Sequence, residues 1–143
     1  MLVQEVMTRG AECTRPDATL QAAAQRMSAL NVGSLPVCED DRLVGMITDR
    51  DITVRSVSAG HDPQADRVLD AMTPGIAYCF EDQNVEEAAQ LMKEKQIRRL
   101  PVLNRQKRLV GIVALGDLAV QTGDEELAGD TIEGISEPSV PNR

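Results

Sequence analysis

The ten residues RLVGMITDRD, at positions 42–51, return with changes as RLVGIVALGD at positions 108–117. In both stretches an apolar run typical of a β-strand leads directly into a segment that carries an aspartate where a helix is expected to start. A second copy 66 residues further along the chain indicates an internal structural repeat. The sequence therefore predicts two copies of one small folding unit.

Further matches precede these stretches at an offset of 65 residues. They pair VMT (6–8) with AMT (71–73), AAQRM (23–27) with AAQLM (88–92), and LPV (35–37) with LPV (100–102). One extra residue in the second copy accounts for the change of offset to 66. Because the matches keep the same order in both halves, the repeat covers most of the chain.

The hydrophobic pattern changes in a fixed order within each copy. Helical spacing is followed by Leu20, Ala23, Ala24, Met27 and Leu30 in the first copy and by Val85, Ala88, Ala89 and Met92 in the second. Thr19 and Asn84 stand at the expected N-caps. Two apolar runs separated by a polar turn follow each helix, and a short strand is expected before it, near 12–14 and 76–79.

A second helix is expected near Asp51 and near Asp117, so each copy is predicted as strand, helix, strand, strand, helix. The predicted fold class is α/β (α+β). We expect Gly60 to end the helix that begins near Asp51.

These patterns predict four segments. The first repeat is expected at 1–60, a linker at 61–69, the second repeat at 70–122, and an acidic, partly disordered tail at 123–143. The chain starts with Met just before the first repeat, so we expect a complete gene product rather than a fragment of an enzyme.

Charge and composition exclude several classes of function. The 143-residue chain has a net charge of -8 and no Trp, which argues against a nucleic-acid partner. Because it has no basic leader and no apolar span long enough for a bilayer, we expect a soluble, cytoplasmic protein without a membrane partner. With three cysteines, no CxxC pair and a lone histidine, His61, no metal site is expected.

The junction at Thr48 and Asp51 brings a hydroxyl and a carboxylate to the end of a predicted strand. In other nucleotide-binding folds a carboxylate accepts hydrogen bonds from ribose hydroxyls, and free N–H groups at a helix start favour a phosphate. The junction is therefore a candidate nucleotide site. The alternative is that Thr48 and Asp51 only cap the helix, which is the commonest role of these residue types at such a position.

The order of helix, LPV, turn, RLVG and TxxD resembles the CBS domain, and two copies in tandem resemble a Bateman module. The length resembles the stand-alone bacterial hypoxic-response type. The resemblance implies a pseudo-twofold pair of repeats in which Thr48 and Asp51 contact the ribose and phosphate of an adenosine nucleotide. It also implies that Arg98 and Arg99 of the other repeat reach the phosphates, and that the adenine slot consists of Thr14, Thr19, Val37, Cys38 and Met46.

The second copy departs from this pattern. Ala114 replaces Thr48, which removes the hydroxyl but leaves the carboxylate of Asp117, and Gly33-Ser34 stand where the second copy has its two arginines. We therefore expect one good site at Asp51 and a weaker second site at Asp117.

The implied function is a non-catalytic regulatory module that binds AMP, ADP, ATP, NAD or S-adenosylmethionine between the repeats and signals to an unidentified protein target. The sequence has no catalytic motif such as G-x-S-x-G. The resemblance also implies a homodimer. The alternative is a protein-interaction or redox-responsive adaptor whose nucleotide pocket has decayed.

In that alternative the working feature is the acidic tail or the pair Cys13 and Cys38. The CBS arrangement places the strands near these two cysteines side by side, so a disulfide between them is one hypothesis. The other is that both thiols are small buried apolar groups.

Overall fold

The computed structural model describes residues 1–121, and the acidic tail predicted at 123–143 lies outside these residues. In chain order the elements are α1 (Val3–Val6), β1 (Thr8–Arg9), α2 (Leu20–Leu30), β2 (Ser34–Glu39), β3 (Arg42–Thr48), α3 (Asp49–Ile52), a π-helical segment (Thr53–Val57), α4 (Val68–Ala71), β4 (Cys79–Phe80), α5 (Val85–Lys95), β5 (Arg99–Leu103), β6 (Leu109–Ala114) and α6 (Leu115–Gln121). Helices and strands are mixed, as the α/β (α+β) prediction requires.

The chain divides into two compact units. We call Glu12–Ile76 the first-repeat unit, and Met1–Ala11 together with residues 77–121 the second-repeat unit. These borders differ from the predicted repeat borders at 1–60 and 70–122. The difference arises because each starting segment packs with the opposite repeat. Met1–Ala11 packs with the second repeat, and residues 70–76 pack with the first.

The predicted linker at 61–69 is hydrogen-bonded to the start of α2. The N–H of Leu20 donates to the carbonyl of Asp66 and that of Gln21 to the carbonyl of Pro63, each over 3.0 Å. A few residues further on, the N–H of Val68 donates to the carbonyl of Ala18 over 2.8 Å. Satisfied backbone groups tie this segment to the first-repeat unit.

The first-repeat unit is built on the hairpin of β2 and β3, which pair antiparallel from Ser34 opposite Thr48 to Glu39 opposite Arg42. Single bridges extend this hairpin on both sides, with Thr14 parallel to Val37 and Thr73 antiparallel to Met46. The predicted strand near 12–14 is therefore one bridging residue.

The second-repeat unit holds a four-stranded sheet in the order β1-β6-β5-β4. Strand β4 is parallel to β5, and the other pairs are antiparallel. The strand predicted near 76–79 lies at Cys79–Phe80. The hairpins of both units have a register shift at the same repeat position, between Val37 and Cys38 and between Val102 and Leu103.

Both predicted N-caps are confirmed. The Thr19 hydroxyl accepts from the N–H of Ala22 and the Asn84 side chain accepts from the N–H of Glu87, each over 3.1 Å. The second helix of each repeat begins two residues before its aspartate, at Asp49 and at Leu115. Gly60 follows the π-helical segment with φ +77°, a conformation that favours glycine.

Each unit has its own core. In the first-repeat unit Leu20 and Ala23 of α2 pack with Leu35 and Ile47 of the hairpin and with Val68. The core of the second-repeat unit is formed by residues of α1, β4, α5, β5, β6 and α6 together with Met7. The predicted apolar stripe of α2 is narrower than its sequence indicates, because Ala24 and Leu30 are exposed. Within residues 1–121, no helix has the length and apolar character to cross a membrane.

A close backbone contact explains the glycine of each RLVG stretch. A Cβ atom on Gly111 would lie 2.7 Å from the carbonyl oxygen of Thr8 and 2.8 Å from the sulfur of Met7. A Cβ on Gly45 would lie 2.9 Å from the carbonyl oxygen of Thr73. All three distances are shorter than real Cβ contacts, so only glycine at these two positions leaves room for the neighbouring segment.

We predict that Gly111→Ala destabilises the protein by about 1–3 kcal/mol, because β1 or β6 must shift to admit the methyl group. The measurement is urea denaturation followed by circular dichroism. Gly116→Ala is the matched control, since a Cβ there meets nothing within 4 Å and alanine favours the helix. Equal stability of the Gly111→Ala variant and the wild type would contradict the contact.

Candidate functional site

The Thr48–Asp51 junction is a reciprocal capping box. The N–H of Asp51 donates to the Thr48 hydroxyl, and the N–H of Thr48 donates to Oδ2 of Asp51, each over 3.0 Å. The capping alternative is therefore realised in the structure. It engages one carboxylate oxygen of Asp51, while Oδ1 lies 3.9 Å from Nε of Arg55.

The carboxylate of Asp51 is held in place and still reachable. Its side chain is 15% exposed, and the box fixes its orientation at the point where β3 passes into α3. A carboxylate fixed in this way accepts further hydrogen bonds at Oδ1 without losing the cap, because a carboxylate has about four lone-pair sites. Capping and ligand binding are thus compatible roles for Asp51.

The corresponding junction of the second-repeat unit keeps half of this arrangement. The N–H of Ala114 donates to Oδ2 of Asp117 over 2.7 Å. Ala114 has no hydroxyl with which to complete the box. The two carboxylates occupy equivalent positions, and only Asp51 has a hydroxyl beside it.

The residues predicted for the adenine slot all lie in the first-repeat unit, and three of them meet directly. Thr14 bridges Val37, and its carbonyl accepts from the N–H of Cys38 over 2.9 Å. Met46 is partly buried on the neighbouring strand, opposite Pro36. Thr19 is separate from these contacts, since its hydroxyl caps α2.

Val37 has no exposed surface and belongs to the core of the first-repeat unit. Val37 therefore packs beneath the residues predicted to line the slot and has no surface that a ligand can contact. Cys38 is also buried, at 3% exposure, and Thr14 at 7%. Of the predicted slot residues, Met46 and Thr19 therefore present more surface to a ligand.

Arg98 and Arg99 are exposed residues of the second-repeat unit. The carbonyl of Arg98 accepts from the N–H of Leu115 over 2.9 Å, and Arg99 pairs with Ala114 in the sheet. Their backbone thus flanks the Asp117 junction of their own unit. Their predicted contact with phosphates at the Asp51 site stays a prediction.

The two N-terminal cysteines lie next to each other, as the strand arrangement implied. Burial raises the pKa of the Cys38 thiol to about 12, and the Cys13 thiol adds to the rise through its charge and a hydrogen bond to Cys38. Burial alone raises the pKa of Cys79 to about 12. All three cysteines are free thiols.

Arg55 is a site residue that the sequence patterns did not reveal. It lies four residues after Asp51, and its Nη1 donates to the carbonyls of Ala71 over 3.2 Å and Met72 over 3.3 Å. The available signal was the i,i+4 spacing of opposite charges on a predicted helix. That signal is common on solvated helices, so it carried no weight by itself.

The family model for the CBS domain matches residues 3–57 and 68–121. The chain belongs to the CBS domain family. The CBS domain-containing protein YhcV of Bacillus subtilis is 42% identical over 138 residues, which cover 96% of this chain and 97% of YhcV. Hypoxic response protein 1 of Mycobacterium tuberculosis is 40% identical over 117 residues, 81% of each chain. The predicted resemblance to a tandem CBS protein of hypoxic-response type is confirmed.

Solved structures of CBS proteins have the same fold. Hypoxic Response Protein I matches with a TM-score of 0.77 at 39% identity, covering 83% of this chain and 97% of the other. CBSX2 in complex with AMP matches with a TM-score of 0.76 at 27% identity, covering 87% and 98%. The CBS domain pair of protein MJ0100, in complex with 5-methylthioadenosine and S-adenosyl-L-methionine, matches with 0.73 at 26%, covering 86% and 96%.

The expectation that no metal is associated with such a chain was wrong. Hypoxic Response Protein I was crystallised with two coordinated zinc ions. Within residues 1–121 of this chain, no three His, Cys, Asp or Glu side chains are grouped so as to hold a metal. His61 instead pairs with Asp66, whose carboxylate oxygen lies 3.0 Å from Nδ1 of His61 and 3.1 Å from the Ser56 hydroxyl. The small number of cysteines and histidines was therefore not enough to exclude a metal from a protein of this type.

Proposed function

We propose that this chain is a non-catalytic regulatory module that binds an adenosine-type ligand at the Thr48–Asp51 junction. The observation that carries the proposal is the carboxylate of Asp51, oriented by Thr48 and with Oδ1 outside the capping box. The AMP complex of CBSX2 and the S-adenosyl-L-methionine complex of the MJ0100 domain pair support this ligand class.

The proposed contacts follow from the chemistry of a nucleoside. Ribose hydroxyls donate to the Asp51 carboxylate, and the Thr48 hydroxyl, which can rotate, serves the same sugar. The adenine occupies the slot beside Met46 and Thr19. Arg98 and Arg99 are proposed to contact the phosphates, and Asp117 to form a weaker second site, since Ala114 offers no hydroxyl.

Regulation then consists of a population shift. A ligand changes the balance between two conformations or assemblies only by the difference in its affinity for them. The signal passes to a protein target that the chain contacts elsewhere. A cytoplasmic location is part of the proposal. So is the absence of a nucleic-acid partner, which the net charge of -8 supports.

Isothermal titration of the reduced protein with AMP, ATP, NAD and S-adenosylmethionine tests the proposal. We expect saturable binding near one site per chain. Asp51→Ala should weaken it by at least about tenfold, because a hydrogen bond to a charged group contributes about 1.5–3 kcal/mol. Asp51→Asn should weaken it less, since the amide oxygen still accepts a hydrogen bond.

The matched control is Asp117→Ala, which removes the equivalent capping carboxylate from the second-repeat unit. Its binding at the Asp51 site should equal that of the wild type. If no compound gives heat with the folded wild-type protein, the chain does not bind nucleotide and the adaptor function takes its place. If Asp51→Ala and Asp117→Ala lose the same ligand affinity, the loss comes from removing a helix cap and not from removing a contact with the ligand.

We also propose that the chain forms a homodimer through the helical segment after Asp51. Val54 and Val57 in this segment are 47% and 58% exposed, which is a large apolar surface for a free helical turn. The expected mass by size exclusion with light scattering is twice the 15.5 kDa of the chain. Val57→Asp should give a monomer.

The control for the dimer is Leu69→Asp, which places the same charge at an equally exposed apolar position on α4. This variant should remain a dimer. A wild-type monomer at micromolar concentration would refute the proposed assembly.

A second candidate function, a redox-responsive adaptor, is favoured by the contact between Cys13 and Cys38. In this proposal the two thiols, which share a hydrogen bond, form a disulfide by losing two electrons and two protons to an oxidant such as a small-molecule disulfide, which is reduced to two thiols. Burial keeps Cys38 protonated, so the less buried Cys13 is the thiol that the oxidant reaches first.

Peptide mapping by mass spectrometry after mild oxidation tests this function. We expect linked peptides that contain Cys13 and Cys38, while buried Cys79 stays free and serves as the internal control. The Cys13→Ser variant should give no linked peptides. Recovery of both N-terminal cysteines as free thiols in the oxidised wild type would end the redox hypothesis.

A further inference from the structure

Arg55 is an anchored cation beside the candidate ribose carboxylate. Its Nη1 donates to the carbonyls of Ala71 and Met72, and its Nε lies 3.9 Å from Oδ1 of Asp51. These contacts fix a long side chain that is otherwise free to sample many rotamers in solvent. The guanidinium is nevertheless 50% exposed, so a ligand has access to it.

Arg50 is a second cation at this junction and is exposed. The residues that align with Arg98 and Arg99 are here Gly33 and Ser34, and the former packs close to the carboxylate of Asp49. The aspartates at 49 and 51 contribute two negative charges on the same short segment. Residues 49–55 thus hold two aspartates and two arginines, so loss of Arg55 changes the net charge of this segment from 0 to -1 and disfavours an anion there.

We infer that Arg55 makes the Asp51 site select phosphorylated adenosine ligands over uncharged adenosine and over the cationic sulfonium of S-adenosylmethionine. The inference rests on the proposed function. The guanidinium lies beside the carboxylate that is proposed to hold the ribose, and its N–H groups match phosphate oxygens. The sequence supports a difference between the repeats, since Gln121 aligns with Arg55.

The test compares AMP, adenosine and S-adenosylmethionine by isothermal titration on wild type and Arg55→Gln. We expect the variant to bind AMP at least about tenfold more weakly, since one charge-assisted contact is lost. Its affinity for adenosine should be unchanged, and its affinity for S-adenosylmethionine should rise. Arg50→Gln is the matched control, because it removes the same charge from an exposed residue of α3, next to Asp51.

The two proposals fail in different ways. If the wild type binds neither AMP nor adenosine, the proposed function and the inference fall together. If the wild type binds both equally, or if Arg55→Gln and Arg50→Gln lose the same AMP affinity, only the inference is overturned. A parallel loss of AMP and adenosine in Arg55→Gln also overturns it, because the effect would then lie in the structure of the site.

A thermal melt of each variant accompanies the titrations, since Arg55→Gln also removes two hydrogen bonds to carbonyls. If that variant does not fold, the same titrations are made on the Arg55→Lys variant. Lysine keeps the charge but not the planar fork, so the preference for AMP over adenosine should shrink without vanishing. A preference equal to that of the wild type would overturn the inference.

Discussion

In each unit, the segment that precedes the other unit's repeat in sequence lies very close to the hairpin. Only a glycine of the hairpin fits at the point of contact. Thr8 meets Gly111 in this way, and Thr73 meets Gly45. The contact adds a strand or bridge to the open side of β6 and of β3. It thereby helps to hold the strand that ends at the candidate junction, and it explains why compact units and sequence repeats have different borders.

The same groups that cap the helix are those proposed to bind the ligand. Thr48 and Asp51 satisfy each other's backbone N–H groups, so the carboxylate is oriented before a ligand arrives. Such preorganisation lowers the entropic cost of binding. The second-repeat unit keeps the aspartate but has Ala114 in place of the threonine. The two repeats thus share a fold, while their two junctions differ in chemistry.

The two candidate forms of regulation share one strand. Cys38 follows Val37 on β2, at the register shift of the hairpin, and both pair with the segment that holds Thr14. A disulfide from Cys13 to Cys38 would constrain the backbone beneath the proposed adenine slot. Ligand affinity and thiol oxidation are therefore coupled in this unit if both occur, by the reciprocity that links any two events at one conformational equilibrium.

The repeat, the main helices with their N-caps, both hairpins and the strand-to-helix junctions follow from the sequence alone, because each depends on residues close together in the chain. The sequence did not predict the helices Val3–Val6 and Val68–Ala71, because four residues are too few to show a helical period. Only the folded chain exchanges the segments before the repeats, buries Val37 behind the slot and anchors Arg55 on the carbonyls of residues 71 and 72. These features depend on contacts between residues far apart in sequence, for which local patterns carry no signal.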